Sequence, residues 1–397
     1  MVFKKKAQKP TSFCFRAAIF LVVFCVGLVF LSFSSLDKGA TLVRYSTQRA
    51  IPNRYVVYDS RYGSLNNQLN SLFNSLVIAR DLNATLVLGY AYTPGGGHAL
   101  RDDHHSTHSY LVGQYFDAKL LNSVQPILNM DDYLKLQNPK RALNLYVEST
   151  QESNRNGDYY QSLGLNVTIR KLKAQDTSHV CEKILSRGRR IWASCQGQPQ
   201  GACDDILLGF SFTNLYNCTW YDDWWYRVRN FVQPKSVIQQ SVRQFVSQVR
   251  HPLVVAHVRF VGGSDAPNDT FYDNIFQYLK QYESKYQQRI GSIYMVGMKD
   301  QRQTIRVDKS IQYLSKRLTL VDWYTCANVT NCAESNHRNE FYDQDESAFG
   351  GYYSVILLDQ WMGVESDYFI GRSASTFSQN IVYWKSLKGD FHYFLYD

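Results

Sequence analysis

The body of the chain alternates short apolar runs with stretches of helical periodicity, and this alternation limits the fold more than any other feature. Arg54–Tyr58 is rich in residues that favour β-strands, and the turn-like Ser60–Ser64 follows it. Apolar residues then recur at helical spacing, at Leu65, Leu69, Leu72, Leu76 and Ala79. Ala84–Leu88 is a second apolar run. Strand, helix and strand in this order predict a βαβ unit with a right-handed crossover, and therefore a parallel sheet.

The same alternation returns near Pro252. Leu253–Val258, Ser292–Val296 and the shorter Leu318–Val321 are apolar runs that predict further strands. Gln301–Leu314, between the last two of them, has the pattern of a helix. The last third of the chain is therefore also expected to be α/β.

The size of the body predicts two domains. The roughly 345 residues after the first 53 exceed the ~250–300 at which a single core usually stops growing. We expect two Rossmann-like domains, at 54–250 and 251–397, facing a central cleft. Ligands of open α/β sheets bind outside the carboxyl ends of the strands. The loops after Tyr58, after Val258 and before Phe377 are therefore where a site is expected.

A charge-free segment precedes the body. Ala17–Leu36 has 20 residues without a charged side chain, enough for a helix to cross a bilayer. It follows five basic residues and no acidic one: Lys4, Lys5, Lys6, Lys9 and Arg16. The positive-inside rule then predicts a cytoplasmic tail at 1–16, a transmembrane signal anchor at 17–36, a stem at 37–53 and a lumenal body. A cleaved signal peptide is the alternative, but its apolar core usually has only ~7–15 residues.

The cysteines and glycosylation sequons fit a lumenal body in the Golgi or endoplasmic reticulum. Six cysteines lie outside the anchor region, and an even number suits an oxidising compartment: Cys181, Cys195, Cys203, Cys218, Cys326 and Cys332. Their connectivity stays open, and a zinc site would be expected to show paired C-x-x-C spacing. Five sequons predict N-glycosylation, at Asn83, Asn166, Asn217, Asn268 and Asn328.

The net charge of +9 does not indicate a nucleic-acid partner. Five of the 43 basic residues precede the anchor, so 38 basic residues face 34 acidic ones in the rest of the chain. The densest basic patch, at Arg187, Arg189 and Arg190, is too small for a nucleic-acid footprint. We expect a solvated loop there and no nucleic-acid binding.

Three loops carry residues that could bind an anion. Gly63 to Gln68 places a glycine and the amides of Asn66 and Asn67 at a helix N-terminus, where free N–H groups and the helix dipole favour a phosphate or a sugar. The alternative is that one of the two amides only caps the helix.

The second loop follows the strand that begins at Leu253. It contains His257-Val-Arg259, and an arginine at the end of a buried strand needs a partner for its guanidinium fork. A diphosphate is one such partner, because it accepts two parallel hydrogen bonds. A buried ion pair with Asp265 is the structural alternative.

The third loop lies near the end of the chain. Ser375-Thr-Phe-Ser378 follows the apolar strand Tyr368–Gly371 and begins a helix, which makes a seat for phosphate. Asp359 stands sixteen residues before Ser375. A plain Ser or Thr helix cap is the commoner meaning of such a pattern.

Together, and in this order, the three loops resemble the GDP-fucose protein O-fucosyltransferase superfamily. Gly63 to Gln68, with the helix and strand up to Leu88, is similar to the family's G-x-x-N-Q loop. His257-Val-Arg259 is similar to its H-x-R motif, and Phe369 to Ser378 to its F-I-G…S-S/T-F-S/T segment. The family's guanine-contacting aspartate lies sixteen residues upstream of the first hydroxyl, where Asp359 stands.

The resemblance implies an inverting GT-B fucosyltransferase that needs no bound metal or other cofactor. Arg259 would hold the β-phosphate, Asn67 would face the reacting sugar, and Asp359 would contact the guanine. The other donor-binding positions that the resemblance implies are Gly63, Asn66, His257, Ser375, Thr376, Phe377 and Ser378. A nucleotide sugar and a protein or glycan acceptor are then the expected partners.

The chain departs from the family pattern at two places. Phe260–Asp265 is longer than the compact run that follows the arginine in typical members, so the role of Asp265 stays open. Ser64 stands where some members have a glutamate as candidate general base. The sequence therefore identifies no general base.

Other patterns favour other functions less strongly. A histidine cluster, at His98, His104, His105 and His108, could bind zinc or contact an acceptor, but a solvated loop is the simpler interpretation. Asp343-Gln-Asp345 spells D-x-D, yet no apolar strand leads into it, so we expect no metal site there. The same fold with another donor, a catalytically silent lectin and a receptor ectodomain remain the competing classes.

Overall fold

The structure is a computed structural model of the chain. It describes residues 54–58, 65–90, 110–136, 142–147, 158–171, 180–193, 205–208, 227–258, 269–296, 301–329 and 352–396. All of these residues belong to one compact unit, Arg49–Asp397. A domain boundary at residue 250 stays a prediction.

The first half of the body forms a six-stranded sheet. In chain order its strands are β1 (Tyr55–Tyr58), β2 (Thr85–Leu88), β3 (Ile127–Asn129), β4 (Ala142–Val147), β5 (Asn166–Lys171) and β6 (Asp205–Leu208). Their order across the sheet is β3-β2-β1-β6-β4-β5, and every pair is parallel. The predicted βαβ unit is confirmed, because Tyr55 on β1 pairs with Thr85 on β2 in parallel register.

The second half forms a five-stranded sheet. Its strands are β7 (Leu253–His257), β8 (Ser292–Val296), β9 (Asp322–Tyr324), β10 (Tyr368–Arg372) and β11 (Tyr393–Tyr396). They lie in the order β11-β10-β7-β8-β9, and all pairs are parallel. Both halves are thus α/β with parallel sheets, as the alternation in the sequence predicts.

Helices cover these sheets. In chain order they are α1 (Leu65–Asp81), α2 (Ala118–Asn122), α3 (Met130–Leu136), α4 (Val180–Ala193), α5 (Ser236–Val246), α6 (Asp269–Tyr286), α7 (Gln301–Ser315), α8 (Tyr352–Glu365) and α9 (Thr376–Leu387). Short turns of 3₁₀-helix occur at Val228–Phe231 and Cys326–Asn328, and a kinked helical segment occurs at Leu111–Gln114. The buried Cys326 of the second turn is disulfide-bonded.

One predicted strand is wrong. Leu318–Val321 forms a turn, and strand β9 begins one residue later, at Asp322. Leu318 is buried but Leu320 is 66 % exposed, so the run does not have two buried faces. The guanidinium of Arg250 donates hydrogen bonds to the carbonyls of Leu320 and Gly291, which holds the turn at the amino end of β8.

Helix α1 is buried almost all round, including its polar residues. It packs on β1 and β2 of its own half and also on α9 of the second half. Because both faces are covered, its amides have protein partners: Gln68 Nε2 donates to the hydroxyl of Tyr353 on α8, at 2.7 Å. Helix α1 therefore contacts both halves of the body, although it follows β1 of the first half in the sequence.

Arg229, in the 3₁₀-turn at Val228–Phe231, contacts both α1 and α9. Its guanidinium carbon lies 4.2 Å from the ring centre of Phe73 on α1 and 4.4 Å from that of Tyr383 on α9. Trp384 Nε1 donates to the carbonyl of Arg229, at 3.2 Å. Buried cation–π contacts of this kind contribute about 2 kcal/mol each, so Arg229 helps to fix α1 against α9.

Several predictions concern residues outside the described ranges. Ala17–Leu36 is one of them, and within the described ranges no helix is long and apolar enough to cross a membrane. Of the sequon asparagines, Asn166 and Asn328 are exposed and Asn83 is partly exposed in a left-handed turn, while Asn217 and Asn268 lie outside.

Candidate functional site

Two of the three motif loops come together at the carboxyl edge of the second sheet. Strands β7 and β10 are neighbours, with Ala256 beside Ile370 in parallel register. His257 ends β7 and Arg372 ends β10, so both residues stand at the same edge. This is the position at which open α/β sheets bind their ligands.

His257 contacts the start of α9 directly. Its Nδ1 lies 2.9 Å from Ser378 Oγ, and its ring centre lies 4.4 Å from that of Phe377. Ser378 Oγ also accepts the backbone N–H of Arg372, at 3.1 Å, so its own proton can go to His257 Nδ1. The hydroxyl of Tyr396 donates to the carbonyl of His257, at 2.9 Å. The H-x-R and S-T-F-S motifs are thus joined by hydrogen bonds.

The N-terminus of α9 is not capped by its own side chain. Ser375 occupies the N-cap position with an extended backbone, but its hydroxyl makes no capping hydrogen bond. The first backbone N–H groups of a helix have no partner within the helix. They carry the positive end of the helix dipole, which favours a phosphate over the carboxyl edge. The alternative of a plain Ser cap at this helix is therefore wrong.

Gly371 is fixed by close packing. A Cβ atom at this position would lie 2.5 Å from Ser378 Oγ and 2.6 Å from the ring of Phe369. Any larger residue would displace Ser378 from His257. The glycine of the Phe-Ile-Gly segment therefore lets α9 approach the end of β10.

The two asparagines of the first motif reach across to the second half. Asn67 Oδ1 accepts the hydroxyl of Thr376, at 3.1 Å, and Asn67 is 2 % exposed. Asn66 Oδ1 accepts N–H groups from Gln360 on α8 and, at 3.0 Å, from Asn380 on α9. The start of α1, which carries the first motif, therefore contacts α8 and α9 of the second half through Asn66 and Asn67.

Asp359 lies on α8 and is 4 % exposed. The hydroxyl of Tyr294, in the middle of β8, donates to Asp359 Oδ1 at 2.7 Å. Burial, followed by the charge of Asp359, raises the pKa of Tyr294 well above its usual value, so Tyr294 remains a donor.

Some contact residues were not singled out by the sequence. Tyr294 sits inside an apolar strand and has the pattern of a core residue, while Gln360 and Asn380 are amides within helices α8 and α9. Arg372 closes an apolar strand and, like His257, stands at a carboxyl end. A search for charged residues at the ends of predicted strands would have identified Arg372. No local sequence pattern distinguishes Tyr294, Gln360 or Asn380 from core residues.

Other predicted site residues lie outside the described ranges. They include Gly63 and Arg259, whose roles stay predictions, and the histidine cluster from His98 to His108. In the described part of the chain, no three His, Cys, Asp or Glu side chains form a group that could hold a metal ion.

Solved structures share this fold. A crystal structure of POFUT1 in complex with GDP matches with a TM-score of 0.54 and 13% sequence identity, over 87% of this chain and 99% of that one. The apo form of POFUT1 matches with a TM-score of 0.55 and 13% identity, over 87% and 98%. A POFUT1 complex with GDP-fucose matches with a TM-score of 0.53 and 14% identity, over 85% and 95%. At these identities the likeness concerns the fold.

At the level of sequence, no curated protein matches the chain. A family model does match it, the one described as GDP-fucose protein O-fucosyltransferase, over residues 55–385. That range includes the first parallel sheet, four of the five strands of the second sheet and all three motif loops. The chain therefore belongs to the GDP-fucose protein O-fucosyltransferase family.

Proposed function

We propose that the chain is an inverting glycosyltransferase that transfers fucose from GDP-fucose to a hydroxyl group of a protein or glycan in the secretory pathway. The observation that carries the proposal is the contact of His257 with Ser378 and Phe377 at the N-terminus of α9, where the N-cap side chain makes no capping hydrogen bond. It joins two motifs that are 121 residues apart at one carboxyl edge. The related POFUT1 structures with GDP and GDP-fucose support the same ligand class.

The α9 N-terminus suits the diphosphate of the donor. Its N–H groups would donate hydrogen bonds to the negatively charged oxygens, and Ser378 and Thr376 would hold the turn through His257 and Asn67. Arg259, two residues after His257 in the sequence, would add the guanidinium fork that a diphosphate accepts. Asp359, held by Tyr294, would accept the N1–H and 2-amino groups of guanine.

The reaction then needs one bond to form and one to break. The acceptor oxygen attacks C1 of fucose from the side opposite the diphosphate, and the bond from C1 to the β-phosphate oxygen breaks. The electron pair of that bond leaves with GDP, while the acceptor hydroxyl gives up its proton. Fixed positive charge at the leaving diphosphate lowers the barrier, because it meets charge that develops in the transition state. This chemistry needs no bound metal.

The setting of the enzyme is part of the proposal. A signal anchor at 17–36 and five sequons suit a type II protein of the Golgi or endoplasmic reticulum membrane with its catalytic body in the lumen. The acceptor would approach from the side of the first sheet.

A thermal-shift experiment on the full-length chain in detergent tests the donor class. A ligand that binds only the folded state stabilises it by about 2.7 kcal/mol at a hundredfold excess over Kd. GDP is therefore expected to raise the melting temperature by several degrees, and UDP and CMP by much less. Equal shifts with GDP and UDP would point to a different donor, and no shift with any nucleotide would contradict the proposal.

A further inference from the structure

The carboxyl edge of the second sheet carries an arginine, Arg372, whose guanidinium has no ion-pair partner among the described residues. Its Nε atom is buried there without a hydrogen-bond partner. By contrast, three other arginines each lie within ion-pair distance of a carboxylate: Arg243 of Glu365, Arg250 of Asp322 and Arg317 of Asp273. A buried donor without an acceptor is destabilising, so its retention calls for a partner that the described residues do not supply.

The backbone around Arg372 is held firmly. Its N–H donates to Ser378 Oγ, and its carbonyl accepts the N–H of Ser375. The next residue, Ser373, donates its N–H to the carbonyl of Tyr396, at 2.7 Å, and accepts a hydrogen bond from Gln379 Nε2. These hydrogen bonds fix the backbone turn at Arg372 against the start of α9 and the end of β11.

Arg372 projects from the face of the sheet opposite to α9. Phe369 and Gly371 face α8 and α9, because a Cβ atom at Gly371 would meet Ser378. Tyr368 and Ile370 belong to the core on the side of α6 and α7, and Arg372 shares their face because side chains alternate along a strand. Continuing the register of Ile370 with Ala256 by two residues puts Arg372 beside the end of β7, about 4.8 Å away.

We propose that Arg372 is a second guanidinium of the donor site, which binds the diphosphate from the face of the sheet opposite to α9. This inference rests on the proposed function. A diphosphate seated over the carboxyl edge would be held by the N–H groups of α9 from one side and by Arg372 from the other. Two parallel hydrogen bonds from a guanidinium suit the oxygens of a diphosphate.

Calorimetric titration of the full-length chain with GDP and with guanosine tests the proposal. Arg372→Gln is expected to weaken the binding of GDP by about ten- to a hundredfold, since hydrogen bonds to charged groups are worth roughly 1.5–3 kcal/mol. Guanosine has no phosphate, so its affinity should stay within about twofold of the parent value by the same reasoning. Arg372→Lys should recover part of the loss for GDP.

Arg289→Gln is the matched control. Arg289 is exposed near the amino end of β8. Arg289→Gln therefore changes the net charge by the same amount as Arg372→Gln, but at the opposite edge of the sheet. It should leave both affinities unchanged. An Arg372→Gln protein that binds GDP as tightly as its parent overturns the inference, and so does an equal loss for GDP and guanosine. A parent that binds no GDP overturns the proposed function together with this inference.

Discussion

Replacing Arg259 with alanine is expected to lower the turnover of GDP-fucose by about two to three orders of magnitude, as the loss of one preorganised electrostatic group does in other enzymes. The reason is that a preorganised cation, two residues after His257 in the sequence, would neutralise the diphosphate as it leaves. The melting temperature should stay close to that of the parent. Steady-state release of GDP from GDP-fucose, measured with the melting temperature on the same protein, checks both parts.

Two further variants separate this role from a structural one. Arg259→Lys should recover only part of the activity, because a point charge cannot reproduce the two hydrogen bonds of a guanidinium fork. If Arg259 instead paired with Asp265, alanine would destabilise the body by about 3–5 kcal/mol, and the double variant would recover stability. A folded Arg259→Ala protein that turns over GDP-fucose as fast as its parent would contradict a catalytic role for Arg259.

The second large effect is expected at Asp359. Asp359→Asn should weaken GDP by about a hundredfold, because an amide replaces a carboxylate that would accept two N–H groups of guanine and each such bond is worth roughly 1.5–3 kcal/mol. The base of UDP has a different pattern of donors and acceptors, so the weak affinity of the protein for UDP should change little. Calorimetric titration with both nucleotides gives the ratio of their dissociation constants in the parent and the variant. Asparagine keeps an oxygen for the hydroxyl of Tyr294, which protects the fold.

Tyr294→Phe is the control for Asp359. It removes the hydroxyl that holds Asp359 Oδ1 but leaves the carboxylate in place. We expect a smaller loss of GDP affinity than with Asp359→Asn, together with a lower melting temperature, since a buried acceptor loses its donor. If Asp359→Asn weakened GDP and UDP equally, the aspartate would be a structural residue rather than a guanine contact.

The fold could be predicted largely from periodicity. Strands that are buried on both faces, such as Ser292–Val296, stand out as continuous apolar runs and were predicted with their observed bounds. Leu318–Val321 looks similar in the sequence, but its position at the end of β8 makes it a turn that Arg250 holds. That contact joins residues 70 positions apart, so no local pattern could reveal it.

The candidate site was predicted in part. Strand ends and helix starts are visible in the sequence, so His257 and Ser378 were placed at the same kind of position, and their contact follows from the pairing of β7 with β10. The partners of Asn66 and Asn67 could not be predicted, because they depend on how α1 packs against α8 and α9. Tyr294 was missed because a tyrosine in a buried strand is usually part of the core.

The most direct measurement of the central claim is the release of GDP from GDP-fucose by the purified full-length chain in detergent. The experiment should contain EDTA and should be repeated with GDP-mannose and a UDP-sugar as donors. The account predicts that GDP is released from GDP-fucose in the presence of the chelator, and faster than nucleotide is released from the other donors. No release above that of heat-inactivated protein, or faster release from the UDP-sugar, would contradict it.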